Sequence, residues 1–114
     1  MYTLIHNPNC SKSRAALDML EASGHEFTIR DYQQEPMTAE ELRDLQTKLG
    51  SGPAQWIRWD EPEATGYEAD DPEAVLIQAI VDRPRLLQRP ILVCGDKAMV
   101  GRPGPEALQK MLTE

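Results

Sequence analysis

The chain opens on a short apolar run, Tyr2 to Ile5, closed by the turn signal Asn7-Pro8-Asn9, which predicts a first strand followed by a sharp change of direction. Ala15, Ala16, Met19, Leu20 and Ala22 then recur at helical spacing, predicting a helix from Ser11 to Ser23 that Gly24 stops. In the stretch EFTIRDY the period changes to two, with Phe27 and Ile29 set against Thr28 and Arg30. Strand, helix and strand within roughly thirty residues is the size of a βαβ unit with a parallel strand pair.

Polar positions punctuate the middle of the chain. In MTAEELRDLQTKLG, Thr38 stands as N-cap with Glu41 three residues on, a capping box, and Gly50 ends the helix. A further helix, DPEAVLIQAIVDRP, is expected to start with Asp71 as cap and Pro72 at its first helical position. Between the two, SGPAQWIRWDEPEATGYEAD reads as a short helix near Ala54 to Arg58 and then a surface loop. After a turn around Arg85 to Leu87, Ile91–Cys94 and Lys97–Val100 read as a hairpin turning at Gly95-Asp96, and a last helix runs from Pro105 to Leu112.

The order β-α-β, then helices, then β-β-α is that of a thioredoxin-like domain: an α/β fold with a mixed four-stranded sheet flanked by helices. Here it carries a helical insertion after the second strand, at about residues 36–84, within one domain spanning residues 1–114. No internal repeat, low-complexity tract or linker interrupts it.

Charge and composition narrow the function classes. A net charge of −7 argues against charge-driven nucleic-acid binding, and an anionic substrate would need local arginines to overcome that field. No apolar run approaches the ~20 residues of a membrane span, and the opening residues lack the pattern of a secretory signal. The expected compartment is therefore cytoplasmic, with both cysteines reduced.

One of those cysteines, Cys10, lies where the first strand gives way to the first helix. A thiol reacts as the thiolate, and the unpaired N–H groups of a helix N-terminus favour that form. The backbone N–H groups of Ser11, Lys12 and Ser13 could also hold an oxyanion beside the sulfur, and His6 could add an imidazolium. The residues alone leave open a blander reading, in which Cys10 is a small buried hydrophobe and His6 is structural. The pattern Cys10-x-x-Ser13 excludes a dithiol cycle at this turn, and Cys94, in the apolar run ILVC, reads as a core residue. A thiol that resolves Cys10 would come from another molecule.

Three arginines keep unusual company. Arg58 lies between Trp56 and Trp59, while Arg89 and Arg102 each precede a proline, with a cis bond open to an X-Pro pair that enters a strand. Such neighbours suggest held side chains; the alternative is that Arg58 lies over the tryptophans and the other two form surface ion pairs.

Taken together, HNPNCSKSR, the strand EFTIRDY with its capped helix, the WIR position and both Arg-Pro dipeptides make the chain resemble the glutaredoxin-linked arsenate reductase (ArsC) family over essentially its whole length. The resemblance implies Cys10 as nucleophile, His6 lowering its pKa, and Arg58, Arg89 and Arg102 binding the arsenic oxyanion. It further implies glutathione as co-substrate, glutaredoxin as reductant, no tightly bound cofactor or metal, and a monomer. Ser11, Lys12 and the two tryptophans depart from the family pattern. Rival readings are an ArsC-like glutathione-dependent thiol reductase and a non-enzymatic transcriptional regulator of the Spx type; against the latter, position 13 holds serine where such regulators carry a second cysteine.

Overall fold

A computed structural model describes residues 1–102 and 104–112. Strand β1 (Tyr2–His6) leads into helix α1 (Ser11–Ser23), which ends at Gly24 in the left-handed conformation (φ 77°), and the chain returns as β2 (Phe27–Asp31). Helix α2 (Ala39–Leu49) and helix α3 (Glu73–Asp82) come next, separated by 3-10 turns at Pro53–Gln55 and Pro62–Ala64. A third 3-10 turn, Pro84–Leu86, leads to strands β3 (Ile91–Cys94) and β4 (Lys97–Val100), and a 3-10 turn at Pro105–Leu108 runs into the short helix α4 (Gln109–Leu112).

The sheet has the order β2-β1-β3-β4, with β1 parallel to β2 and antiparallel to β3, and β3 antiparallel to β4. This is the mixed four-stranded sheet expected of a thioredoxin-like fold. Because side chains alternate along a strand, neighbouring residues enter different cores. Leu4 and Leu92 pack with Ala16 and Leu20 of α1 and with Leu108, Met111 and Leu112, whereas Ile5 and Ile91 pack on the opposite layer with Leu42, Leu45, Trp56, Leu76 and Ile80. The helices between β2 and β3 thus cover one face of the sheet, and α1 with the C-terminal segment covers the other.

Several local expectations change in three dimensions. The buried stripe of α1 is Ser13, Ala16 and Leu20, while Ala22 is exposed. Ile29 is 48% exposed, because β2 is an edge strand that α1 does not fully cover. Pro72, not Asp71, is the N-cap of α3; the Asp71 carboxylate instead accepts a hydrogen bond from the Glu68 N–H (2.8 Å), closing the preceding turn. The first half of the predicted last helix is the tighter 3-10 form.

The capping box of α2 forms as expected: Thr38 Oγ1 accepts from the Glu41 N–H (3.1 Å), and Glu41 Oε1 accepts from the Thr38 N–H (3.0 Å). The same carboxylate takes a forked pair of bonds from Arg30 of β2, at 2.7 and 3.1 Å. It therefore pins the start of α2 to the edge of the sheet, and its pKa is lowered to about 2, first by the Arg30 hydrogen bond and then by the backbone at Thr38.

The most consequential difference lies at the WIR stretch. Only Pro53–Gln55 is helical, as one 3-10 turn; beyond it the chain extends, and Ile57 pairs antiparallel with Leu87. The Arg58 N–H donates to the Leu86 carbonyl (2.7 Å) and the Gln88 N–H to the Trp56 carbonyl (2.8 Å). This small ladder fixes the backbone carrying Arg58 alongside the backbone carrying Arg89.

Candidate active site

The turn after β1 is built by its own polar groups. Asn7 Oδ1 accepts from the Asn9 N–H (3.0 Å), the Asn7 carbonyl accepts from the Cys10 N–H (3.0 Å), and the Arg14 guanidinium donates to the Pro8 carbonyl (2.9 Å). From below, the fully buried Ser13 hydroxyl accepts from the Asn7 N–H (3.3 Å). Cys10 is consequently held as the N-cap of α1, in extended conformation (φ −105°, ψ 124°) and half-buried.

Burial by itself would push the Cys10 thiol up. The N–H groups of Ser13 and Lys12, the charge of Arg89 and the Ser13 hydroxyl more than offset it, so the pKa lies below the usual thiol value. The imidazolium expected at His6 is not part of this balance. His6 is 5% exposed, burial is the largest influence on it and lowers its pKa, and the attraction of Asp31 does not reverse the result. A neutral imidazole therefore stands below the turn at pH 7, and the positive potential on the thiolate comes from the helix end and from Arg89.

All three predicted arginines converge on Cys10. Together with Ser11, Lys12, Asp60 and Gln88 they line an open cleft of about 490 Å³. Arg58 is already engaged: its Nη1 donates to Glu61 Oε1 (2.7 Å) and to the Arg85 carbonyl (3.4 Å). Trp56 is wholly buried with its indole N–H on the Ser51 carbonyl (3.1 Å), and Trp59 is 37% exposed with its N–H on the Ala54 carbonyl (3.0 Å). Arg58 is thus a held side chain, and what holds it is the Glu61 carboxylate.

Arg89 and Arg102 differ from Arg58. Nε and Nη1 of Arg89 and Nε of Arg102 are buried without a hydrogen-bond partner among the described residues. Burial, followed by repulsion from Arg89 and Arg58, lowers the pKa of Arg102 against the attraction of Cys10 and Asp60, yet a guanidinium stays charged at any working pH. Unpaired buried donors of like charge, facing one thiol, form an environment that an oxygen-rich anion would satisfy.

The Arg89-Pro90 bond is cis. A close backbone approach brings the segments carrying Arg89 and Arg102 together. The Gly101 N–H donates to the Pro90 carbonyl (2.8 Å), and a Cβ on Gly101 would stand 2.8 Å from Pro90 Cγ and 3.3 Å from Leu108 Cδ1, so only glycine lets the two segments meet so closely. Pro103, the second proline of the paired dipeptides, lies outside the described residues.

Cys94 is not brought to the site. It pairs with Tyr2 at the start of β1, whereas Cys10 follows the end of that strand. Four strand steps separate those levels, about 13 Å, well beyond the reach of a disulfide. Both cysteines are free.

Sequence reasoning missed Asp60, Gln88 and Glu61, each within three residues of a predicted arginine, so adjacency to Arg58 and Arg89 was the available signal. It also missed Tyr32, fully buried, whose hydroxyl lies near Gln33 and Asn7 and feels the charges of Arg89 and Arg58. The register that sets His6 beside Asp31 brings the end of β2 to this side of the sheet. Among the described residues, no cluster of three or more His, Cys, Asp or Glu side chains is placed to hold a metal, and no helix is long and apolar enough to cross a membrane.

A thioredoxin-like sheet that presents a single helix-capping thiolate to held arginines defines a class of proteins with one-cysteine active turns. Within that class the chain belongs to the ArsC family, whose profile matches residues 5–111. It is 40% identical over 110 residues to the uncharacterized protein YfgD of Escherichia coli K12, covering 93% of this chain and 92% of that protein. It is likewise 40% identical over 104 residues to the arsenate reductase of Neisseria meningitidis strain Z2491, covering 88% and 89%. The solved structure of an arsenate reductase from Vibrio cholerae superposes with a TM-score of 0.87 at 33% identity, covering 96% of this chain and 95% of that one.

Proposed function

We propose that this protein is an arsenate reductase that uses glutathione and glutaredoxin as its source of electrons, working as a monomer in the reducing cytoplasm. The observation that carries this reading is the pairing of a stabilised Cys10 thiolate with the unpaired buried guanidinium donors of Arg89 and Arg102. Relatives at 40% identity that are named arsenate reductases support it.

In this mechanism the Cys10 thiolate attacks the arsenic of dihydrogen arsenate. A sulfur–arsenic bond forms, one oxygen leaves as water after taking up a proton, and the thioarsenate adduct retains one negative charge. Arg89 and Arg102 hold the remaining oxygens, aided by the N–H groups of Ser11 and Lys12. Arg58, anchored by Glu61, adds its charge from the facing segment. Glutathione then adds its sulfur to arsenic with loss of a second water. The glutaredoxin thiol attacks the glutathione sulfur, the two leave as a mixed disulfide, and their electron pair reduces arsenic from the pentavalent to the trivalent state. Water releases arsenite and returns the Cys10 thiol. The place of Cys94 at the far end of β1 supports a resolving thiol from outside the chain. His6, buried and neutral, supports the turn and does not charge the thiolate.

The test is arsenate-dependent NADPH oxidation coupled through glutathione, glutaredoxin and glutathione reductase. Turnover by the native chain that vanishes in Cys10→Ser is the expected result, and Arg89→Ala should lower kcat/KM about 10²–10³-fold, the usual cost of removing one oxyanion donor. Lys12→Ala should cost much less, since its contribution to the thiolate is a backbone N–H that the substitution retains. A folded, reduced native protein without turnover would refute the proposal.

A further inference from the structure

Guanidinium groups and backbone N–H groups are all donors, and donors alone do not separate tetrahedral oxyanions of similar size. Arsenate, phosphate and sulfate all offer acceptor oxygens to such a site. They differ in their protons: near neutral pH arsenate and phosphate keep at least one, and sulfate keeps none. A site that tells them apart therefore needs an acceptor among its donors.

Besides the neutral acceptors of Ser11 and Gln88, the Cys10 cleft has a charged one. Asp60 lines it with Arg58, Arg89 and Arg102, and is the only acidic residue among those lining residues. The neighbouring Glu61, by contrast, is committed to Arg58 at 2.7 Å. Asp60 is close enough for its charge to act on Arg102, one of the two arginines with unpaired buried donors. It also follows Arg58 by two residues in the segment fixed by the Ile57–Leu87 pairing, so its backbone is anchored beside the cleft. An acidic group in a site built for an anion weakens anion binding in general, unless the anion has a proton to share.

We infer that Asp60 is the specificity-determining acceptor of this cleft. It takes a hydrogen bond from a protonated oxygen of hydrogen arsenate or hydrogen phosphate, and it repels the fully deprotonated sulfate ion. The inference rests on the oxyanion reading of the site and adds to it the class of anion admitted. Rejection has two sources: the missing hydrogen bond, and the like charge set against the wrong ligand. Asp60 is exposed and water screens it, so the expected preference is about ten- to a hundredfold, below the 10⁴-fold reached by enclosed sites that read a hydroxyl.

The experiment uses the full chain with Cys94→Ser, so that Cys10 is its only thiol, and follows the rate of alkylation by iodoacetamide at constant ionic strength. Inorganic phosphate and sulfate are titrated separately as protecting anions, with phosphate as the form that undergoes no reduction. Phosphate should protect at a concentration at least about tenfold lower than sulfate, and Asp60→Asn, an exposed substitution, should bring the two within about threefold by strengthening sulfate protection. Equal protection by both anions before substitution, or a preference that survives Asp60→Asn, would overturn the assignment of Asp60 alone. If neither anion protects Cys10, the oxyanion reading of the cleft fails, and the role of Asp60 fails with it.

Discussion

Replacing Ser13 with alanine removes a single oxygen from beneath the active turn, and the structure assigns that oxygen two jobs. It accepts the Asn7 N–H at 3.3 Å, and it favours the Cys10 thiolate. A hydrogen bond to a charged group contributes roughly 1.5–3 kcal/mol. Cys10 is half-buried and the hydroxyl is the last of several groups that favour its thiolate, so removing it should raise the thiol pKa and lower the thiolate fraction at a given pH on the rising limb of its titration. The Asn7 N–H, 8% exposed as a residue, loses its acceptor and should cost about 1–2 kcal/mol of stability. The assay is the pH dependence of iodoacetamide alkylation in the Cys94→Ser background, with urea unfolding of the same samples. A Ser13→Ala protein that unfolds at lower urea but titrates at the same midpoint would refute the reasoning about the thiolate, because the helix end and Arg89 would then account for it alone.

Other substitutions probe His6, the start of α2 and the Gly101 contact. Burial lowers the pKa of His6, so the charged form is disfavoured in the folded state; its contribution to stability is complete above the unfolded value near 6.5 and is lost as pH falls through the folded value. Urea unfolding at pH 7 and pH 5 should show a loss that His6→Asn removes, and an undiminished loss in that variant would place the effect elsewhere. Glu41, lowered from 4.5 to about 2, stabilises the fold above pH 4.5 and ceases to do so as pH falls toward 2. Its side chain is 39% exposed, so the formal ~3.4 kcal/mol for that difference is discounted to about 1 kcal/mol for solvent screening. Glu41→Gln should show that loss at pH 7 and less at pH 3.5, and an equal loss at both pH values would contradict the charge argument. Gly101→Ala forces a methyl against the Pro90 ring and should cost about 1–3 kcal/mol; thermal unfolding measures this, and the arginine-dependent anion protection of Cys10 should weaken with it.

The elements were legible in the sequence where local chemistry settles them. Thr38 and Glu41 announce the start of α2, Gly24 and Gly50 mark helix ends, and Ile91–Cys94 and Lys97–Val100 pair as their pattern implies. Where a residue had two partners to choose from, the sequence was not enough. Asp71 caps a turn and not a helix, and the WIR stretch extends because Leu86, Leu87 and Gln88 offer it a strand to pair with. Hydrophobic period reports which side of an element is apolar, but not whether another element arrives to cover it, and so Ile29 stays exposed on an edge strand.

The candidate site divides in the same way. By itself the sequence determined that a lone cysteine stands at a helix N-terminus with no second thiol at Ser13, because a turn signal, a helical period and a motif are all local along the chain. Which charges reach that cysteine was decided only by the tertiary structure, since burial and Coulomb attraction depend on distances between residues far apart in sequence. Packing buries His6 and keeps it neutral, pairs Arg58 with Glu61, leaves Arg89 and Arg102 with unpaired donors, sets Asp60 among them, and holds Cys94 at the opposite end of the strand.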